Sequence, residues 1–146
     1  MEVVSNAACC ISCHMDAGKA TASGMTIWLH SNAPKRYVDW SQDVLDELKR
    51  VGFTSNRSTE INKGYRGDPN TNYAWNRQTR SPSMLLELGF ITNAANLKEF
   101  DENYKDYAQA VVNATCRFIG VQRTNAEQSS DNLLADLQAL MNKYTK

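Results

Sequence analysis

The chain has 146 residues, enough for one domain with a buried core, and its 42% hydrophobic and 22% charged residues exclude a disordered or fibrous chain. Lys plus Arg and Asp plus Glu both total 16, so no net field favours nucleic acid or an anionic membrane surface. No apolar run reaches the roughly 20 residues that cross a bilayer, and Met1-Glu2-Val3-Val4-Ser5-Asn6 lacks the basic start and apolar core of a signal peptide, so the chain as written reads as soluble and cytoplasmic.

In chain order, Cys9-Cys10-Ile11-Ser12-Cys13-His14 is a short apolar segment that ends at His14 and leads into a loop over residues 15–23. With Cys116 far away, the four Cys make no disulfide framework. Gly24 opens Met25-Thr26-Ile27-Trp28-Leu29, whose β-branched and aromatic content predicts a strand. Asn32-Ala33-Pro34 signals a helix start. Tyr37, Trp40, Val44, Leu48 and Val51 then recur at helical spacing, which predicts an amphipathic helix over residues 34–50 that stops at Gly52. Residues 53–72 are polar, with Gly64, Gly67 and Pro69 as breakers, and predict an irregular surface loop with a short strand near residues 54–57. Such a loop either carries substrate contacts or is a plain connection. Residues 73–77 predict a further strand.

The central stretch is residues 83–93, Ser-Met-Leu-Leu-Glu-Leu-Gly-Phe-Ile-Thr-Asn. A short, nearly continuous apolar run between Pro82 and Gly89 predicts a strand buried on both faces, as in a covered, largely parallel sheet. Glu87 stands inside it, and desolvating a carboxylate is costly unless it is paired, binds a metal or stays protonated. Either Glu87 is a strand-end residue with its head in water, or it is a functional carboxylate at the carboxyl end of a strand, where open α/β folds place ligands. A short helix over residues 93–100 and a second over residues 103–119, ended by Gly120, follow. Residues 121–130 form a polar linker. Asp131 then caps a helix in which Leu133, Leu137, Leu140, Met141 and Tyr144 share a face. The fold class is α/β: a mostly parallel sheet flanked by helices, with an extra C-terminal amphipathic helix over residues 131–146.

His14 has more than one reading. Cys10-Ile11-Ser12-Cys13-His14 fits the Cys-x-x-Cys-His pattern of covalent haem attachment. A Cys-based zinc site lacks a second Cys/His pair to complete four ligands. A satisfied core His is the structural alternative, and His30 reads as a surface residue. A resemblance sets the haem motif in competition with another. Leu85-Leu86-Glu87-Leu88-Gly89-Phe90-Ile91-Thr92-Asn93 resembles the Leu-Val-Glu-Leu-Gly-Phe-(Leu/Ile)-(Ser/Thr)-Asn signature of zinc-dependent N-acetylmuramoyl-L-alanine amidases. Ile11-Ser12-Cys13-His14-Met15-Asp16-Ala17 resembles that family's Ser-Ile-His-Ala-Asp/Asn-Ala segment, and Ser23–Leu29 resembles its next strand.

The resemblance implies a peptidoglycan hydrolase of the autolysin and endolysin type that cleaves the amide between N-acetylmuramic acid and L-alanine. It implies a Zn2+ cofactor, His14 as a metal ligand and Glu87 as the catalytic carboxylate. It also implies that residues 1–120 are the later, N-terminally incomplete part of a catalytic domain. The family's Gly-His-Gly-like strand end and following metal-binding Glu have no counterpart upstream of Cys9. The competing reading is a non-catalytic amidase-like module that binds the cell wall or pairs with a full-length enzyme. The C-terminal helix would then serve oligomerisation or pairing. On either reading the chain works at the cell wall, as a phage lysin or as a piece of a secreted autolysin.

Overall fold

The computed structural model describes residues 7–66, 68 and 70–121. Its elements are β1 (Cys10–Asp16), β2 (Met25–Leu29), α1 (Lys35–Arg50), β3 (Ile61–Lys63), α2 (Ala74–Gln78), β4 (Ser83–Phe90) and α3 (Ala94–Ile119). The strands form one sheet in the order β1-β4-β2-β3. β1 pairs with β4 and β2 with β3 in parallel, whereas β2 and β4 are antiparallel. The expected α/β sheet flanked by helices is therefore present, in a mixed form whose antiparallel pair lies at its centre. Chain length explains the mixture. The loop between β1 and β2 is too short for a crossover, so the chain reverses, whereas α1 gives β2 and β3 the longer connection that parallel strands require.

One face of the sheet carries the core. Met25, Ile27 and Leu29 of β2 and Met84, Leu86 and Leu88 of β4 pack with Trp40, Val44 and Leu48 of α1 and Tyr107, Ala110 and Ala114 of α3. The helices meet through a stack of Trp40 on Phe118, ring centroids 4.4 Å apart. Arg117 of α3 reaches back to α1, donating to Asp43 at 2.8 Å and to Glu47 at 2.6 Å. Burial alone would raise the pKa of Glu47, but hydrogen bonds from Arg50 and Arg117 outweigh it and hold this carboxyl below its ordinary value. Among the described residues no helix is long and apolar enough to cross a membrane.

β4 is buried along its whole length, as its sequence predicts. The predicted helix over residues 34–50 forms as α1, with Pro34 at its N-cap. Three expectations change. Residues 54–57 are not a strand; the edge strand lies later, at Ile61–Lys63. Most of the segment over residues 73–77 folds into α2 (Ala74–Gln78), with Tyr73 at its N-cap, and its side chains serve the sheet rather than extend it. Trp75 Nε1 donates to the Met84 carbonyl at 3.1 Å, and Asn76 Nδ2 donates to the Trp28 carbonyl at 2.9 Å. The two helices expected over residues 93–100 and 103–119 are one, α3. Asn93 caps its start by accepting from Ala95 N and Asn96 N, and Gly120, at φ 73°, ends it in the left-handed conformation. Apart from Val121, the linker and the C-terminal helix predicted over residues 131–146 lie outside the described residues.

Asn96 joins α3 to β4. It is 5% exposed, its Oδ1 accepts from Phe90 N at 3.1 Å and its Nδ2 donates to Ser23 Oγ at 2.9 Å. Asn96→Ala strands a buried backbone N–H and is expected to cost about 1–3 kcal/mol, measured by denaturant unfolding. Glu47 predicts an acid limb. Its folded pKa lies below its unfolded value, so its stabilisation is present above the unfolded pKa and lost as pH falls through the folded one. Thermal unfolding between pH 7 and pH 2 should accordingly show a smaller acid-induced drop in Tm for Glu47→Gln than for the unaltered chain.

Candidate active site

β1 and β4 run side by side in a register that sets His14 directly opposite Glu87. β2 passes on the other side of β4 and places Thr26 opposite the same Glu87. Side chains alternate across a strand. With Leu86 and Leu88 committed to the core face, Glu87 points to the other face, where α2 and the loop before it lie. The positional pattern of two short segments, far apart in the chain, thus becomes one imidazole and one carboxylate on adjacent strands.

Glu87 is 7% exposed, and its Oε2 is buried without a hydrogen-bond partner. Its pKa is raised, first by burial and then by the negative Asp16, with His14 and Arg66 acting in the opposite direction. A carboxyl so placed holds a proton more readily than an ordinary Glu and has an oxygen free to receive one. His14 is exposed, with its Nε2 2.7 Å from Ser12 Oγ, which fixes the ring along the strand.

Three further side chains complete the surroundings. Asp16 ends β1 after a register shift, accepts from Ala17 N at 2.8 Å and forms an ion pair with Arg66. Arg66 Nε donates to the Tyr73 hydroxyl at 3.2 Å. The Tyr73 ring lies 5.4 Å from that of Trp28 and 4.7 Å from that of Tyr65. Burial raises the Tyr73 pKa, and the charges of Asp16 and Glu87 add to this against Arg66. Sequence reading singled out His14 and Glu87 but not these three. In the sequence Asp16 carries no role of its own in the segment around His14, Arg66 is one charge in a polar loop, and Tyr73 falls in a stretch with strand-like aromatic content.

The other candidates fall away from the site. His30 is half-buried at the end of β2, where its Nδ1 accepts from Asn32 N at 3.1 Å in a turn. Cys10 and Cys13 lie three residues apart on a β-strand, so their side chains leave opposite faces of the sheet, and the spacing that suits haem attachment on a helix is lost. All four Cys are free, and burial pushes the Cys9 and Cys13 thiols up.

The fit to zinc is partial. An exposed imidazole and a buried carboxylate oxygen without a partner are suitable neighbours for a metal-bound water. Among the described residues, however, no group of three or more His, Cys, Asp or Glu is placed to hold a metal ion. His14 would fill at most one position of a three-ligand site, and the described residues do not supply the rest.

Comparison with known proteins bears on the same residues. The sequence profile of the N-acetylmuramoyl-L-alanine amidases matches residues 3–119. A probable cell wall amidase, LytH, of Staphylococcus aureus is 38% identical over 86 residues, covering 57% of this chain and 25% of that protein. The fold is similar to the CwlD amidase of Clostridioides difficile, solved in complex with the GerS lipoprotein, at a TM-score of 0.64 and 24% identity, over 81% of this chain and 57% of that one. It is also similar to the amidase Ami1 of Mycobacterium smegmatis, at a TM-score of 0.62 and 23% identity, over 79% and 55% of the two chains. The chain thus spans about a quarter of the length of the curated relative and little more than half of the solved chains. The site lies within the matched segment, and on that profile match the chain belongs to the N-acetylmuramoyl-L-alanine amidase family.

Proposed function

We propose that the chain hydrolyses the amide between N-acetylmuramic acid and L-alanine in peptidoglycan, at the cell wall, with His14 as one zinc ligand and Glu87 as general base and acid. The observation that carries this reading is the in-register pair of His14 and Glu87, with the buried Oε2 of Glu87 unpartnered. Zinc, when bound, would polarise the scissile carbonyl and bring the pKa of a coordinated water to about 7.

The chain's own contribution is proton handling. Glu87 Oε2 accepts a proton from the attacking water, holds it at a carboxyl whose pKa burial has raised, and passes it to the departing amine nitrogen. The carbon–nitrogen bond breaks, leaving a carboxylate on the muramic acid side and a free amine on L-alanine. Thr26 and His14 flank Glu87 on the neighbouring strands and restrict where its carboxyl can turn. Ser12, at 2.7 Å, orients the His14 ring.

Zinc content and turnover of purified cell walls test the assignment together. About one zinc per chain, lost in His14→Ala and kept in Glu87→Ala, is expected from the single-ion chemistry of such sites. Turnover in Glu87→Ala should fall by about 100-fold or more; zinc retained in His14→Ala, or turnover retained in Glu87→Ala, overturns it. Stability provides a second check, without metal. Because the folded pKa of Glu87 exceeds its unfolded value, stability is lost as pH rises through the unfolded value towards the folded one. Glu87→Gln should raise the Tm of the metal-free protein at pH 7, and the gain should vanish below the unfolded Glu pKa of about 4.3.

A further inference from the structure

Arg66 has no part in the proton transfer, yet it is held beside it. It comes from the loop between β3 and α2, and its Nη2 pairs with the Asp16 carboxylate while its Nε donates to the Tyr73 hydroxyl at 3.2 Å. Asp16 is buried, whereas the Arg66 side chain is 55% exposed. The guanidinium is therefore anchored on its inner side and open to water on its outer side. Tyr73 is itself set against Trp28 and Tyr65, so the anchor is rigid.

An arginine presents five N–H donors in a fixed plane that matches the two oxygens of a carboxylate. The two anchors engage Nε and Nη2, and the other donors belong to a side chain that is half in water. Because the anchors already restrain its rotamers, Arg66 gives up little further freedom when it receives an acceptor. Its charge acts on Glu87, which sets it within electrostatic reach of the bond that the proposed reaction cuts, on a substrate whose leaving group is a peptide.

We propose that Arg66 is a specificity-determining residue that receives a carboxylate of that peptide, so that the site prefers acidic stem peptides to amidated ones. This rests on the reading of the site as a peptidoglycan site. Asp16 and Tyr73 are then positioning residues, which hold the guanidinium at the end of β1. A clamp that only ties the loop to β1 would not distinguish an acid from an amide.

The test is isothermal titration of the full chain, in EDTA so that no metal competes for carboxylates, with N-acetylmuramoyl-L-alanyl-D-glutamate and with its diamide. The unaltered protein should bind the diacid about tenfold more tightly, and Arg66→Gln should bind both alike with a cooperative unfolding transition. Should Arg66→Gln fail to fold, Arg66→Lys decides, since it keeps the charge but loses the planar fork; a clearly reduced preference supports the proposal. An undiminished preference in either folded variant, or equal binding of both ligands by the unaltered protein, overturns the role of Arg66 and leaves the peptidoglycan reading in place. Binding of neither ligand overturns that reading and this proposal together.

Discussion

A carboxylate in the middle of a sheet, on a strand with no exposed residue, is the constraint around which the rest of the molecule is arranged. Glu87 lies on β4 between β1 and β2, with its aliphatic neighbours Leu86 and Leu88 in the core. Water is excluded there because β4 is covered on both faces and paired on both edges. Desolvation acts against the charged form, and the nearby Asp16 acts in the same sense. The same burial that makes the strand a good core element holds its one acid above the ordinary carboxyl pKa.

The far side of the molecule provides a comparison within the same chain. Glu47 on α1 is 5% exposed, close to the 7% of Glu87. Yet the two carboxyls move in opposite directions, because Arg50 and Arg117 donate to Glu47 whereas Glu87 Oε2 has no donor. Burial alone does not mark a functional acid. Burial without a donor singles out a candidate, since a fold gains nothing in stability from such a group.

Polar ties outside the core fix the surroundings of Glu87. Gly89, at φ 101°, turns the chain just beyond it, and a Cβ at Gly89 would lie 3.2 Å from Asn96. Asn96 in turn binds the backbone of Phe90 and the hydroxyl of Ser23, tying the start of α3 to the end of β4 and to the loop before β2. Next to it, where Asp16 pairs with Phe90, the side chains of Asp16, Arg66 and Tyr73 connect the end of β1 with the loop between β3 and α2. Loops from three parts of the chain therefore converge on one end of the sheet, which is where open α/β folds place their chemistry.

The amino-acid sequence alone encodes the elements whose signals are local. An unbroken apolar run marks β4 and isolates Glu87, helical periodicity marks α1, and Gly120 marks the end of α3. It also placed His14 at a strand, in a segment whose likeness to the amidases carried the pairing with Glu87. Long-range packing set the rest. Residues 73–77 have strand-like aromatic content, but Trp75 and Asn76 bind sheet carbonyls and become a helix. The antiparallel centre of the sheet depends on which strand inserts between β1 and β2, a choice that periodicity does not encode. Arg66, Asp16 and Tyr73 are joined across separations of up to 50 residues. A charged residue in a polar loop looks the same in sequence whether it faces water or a buried partner. Only packing removes the water and makes the difference.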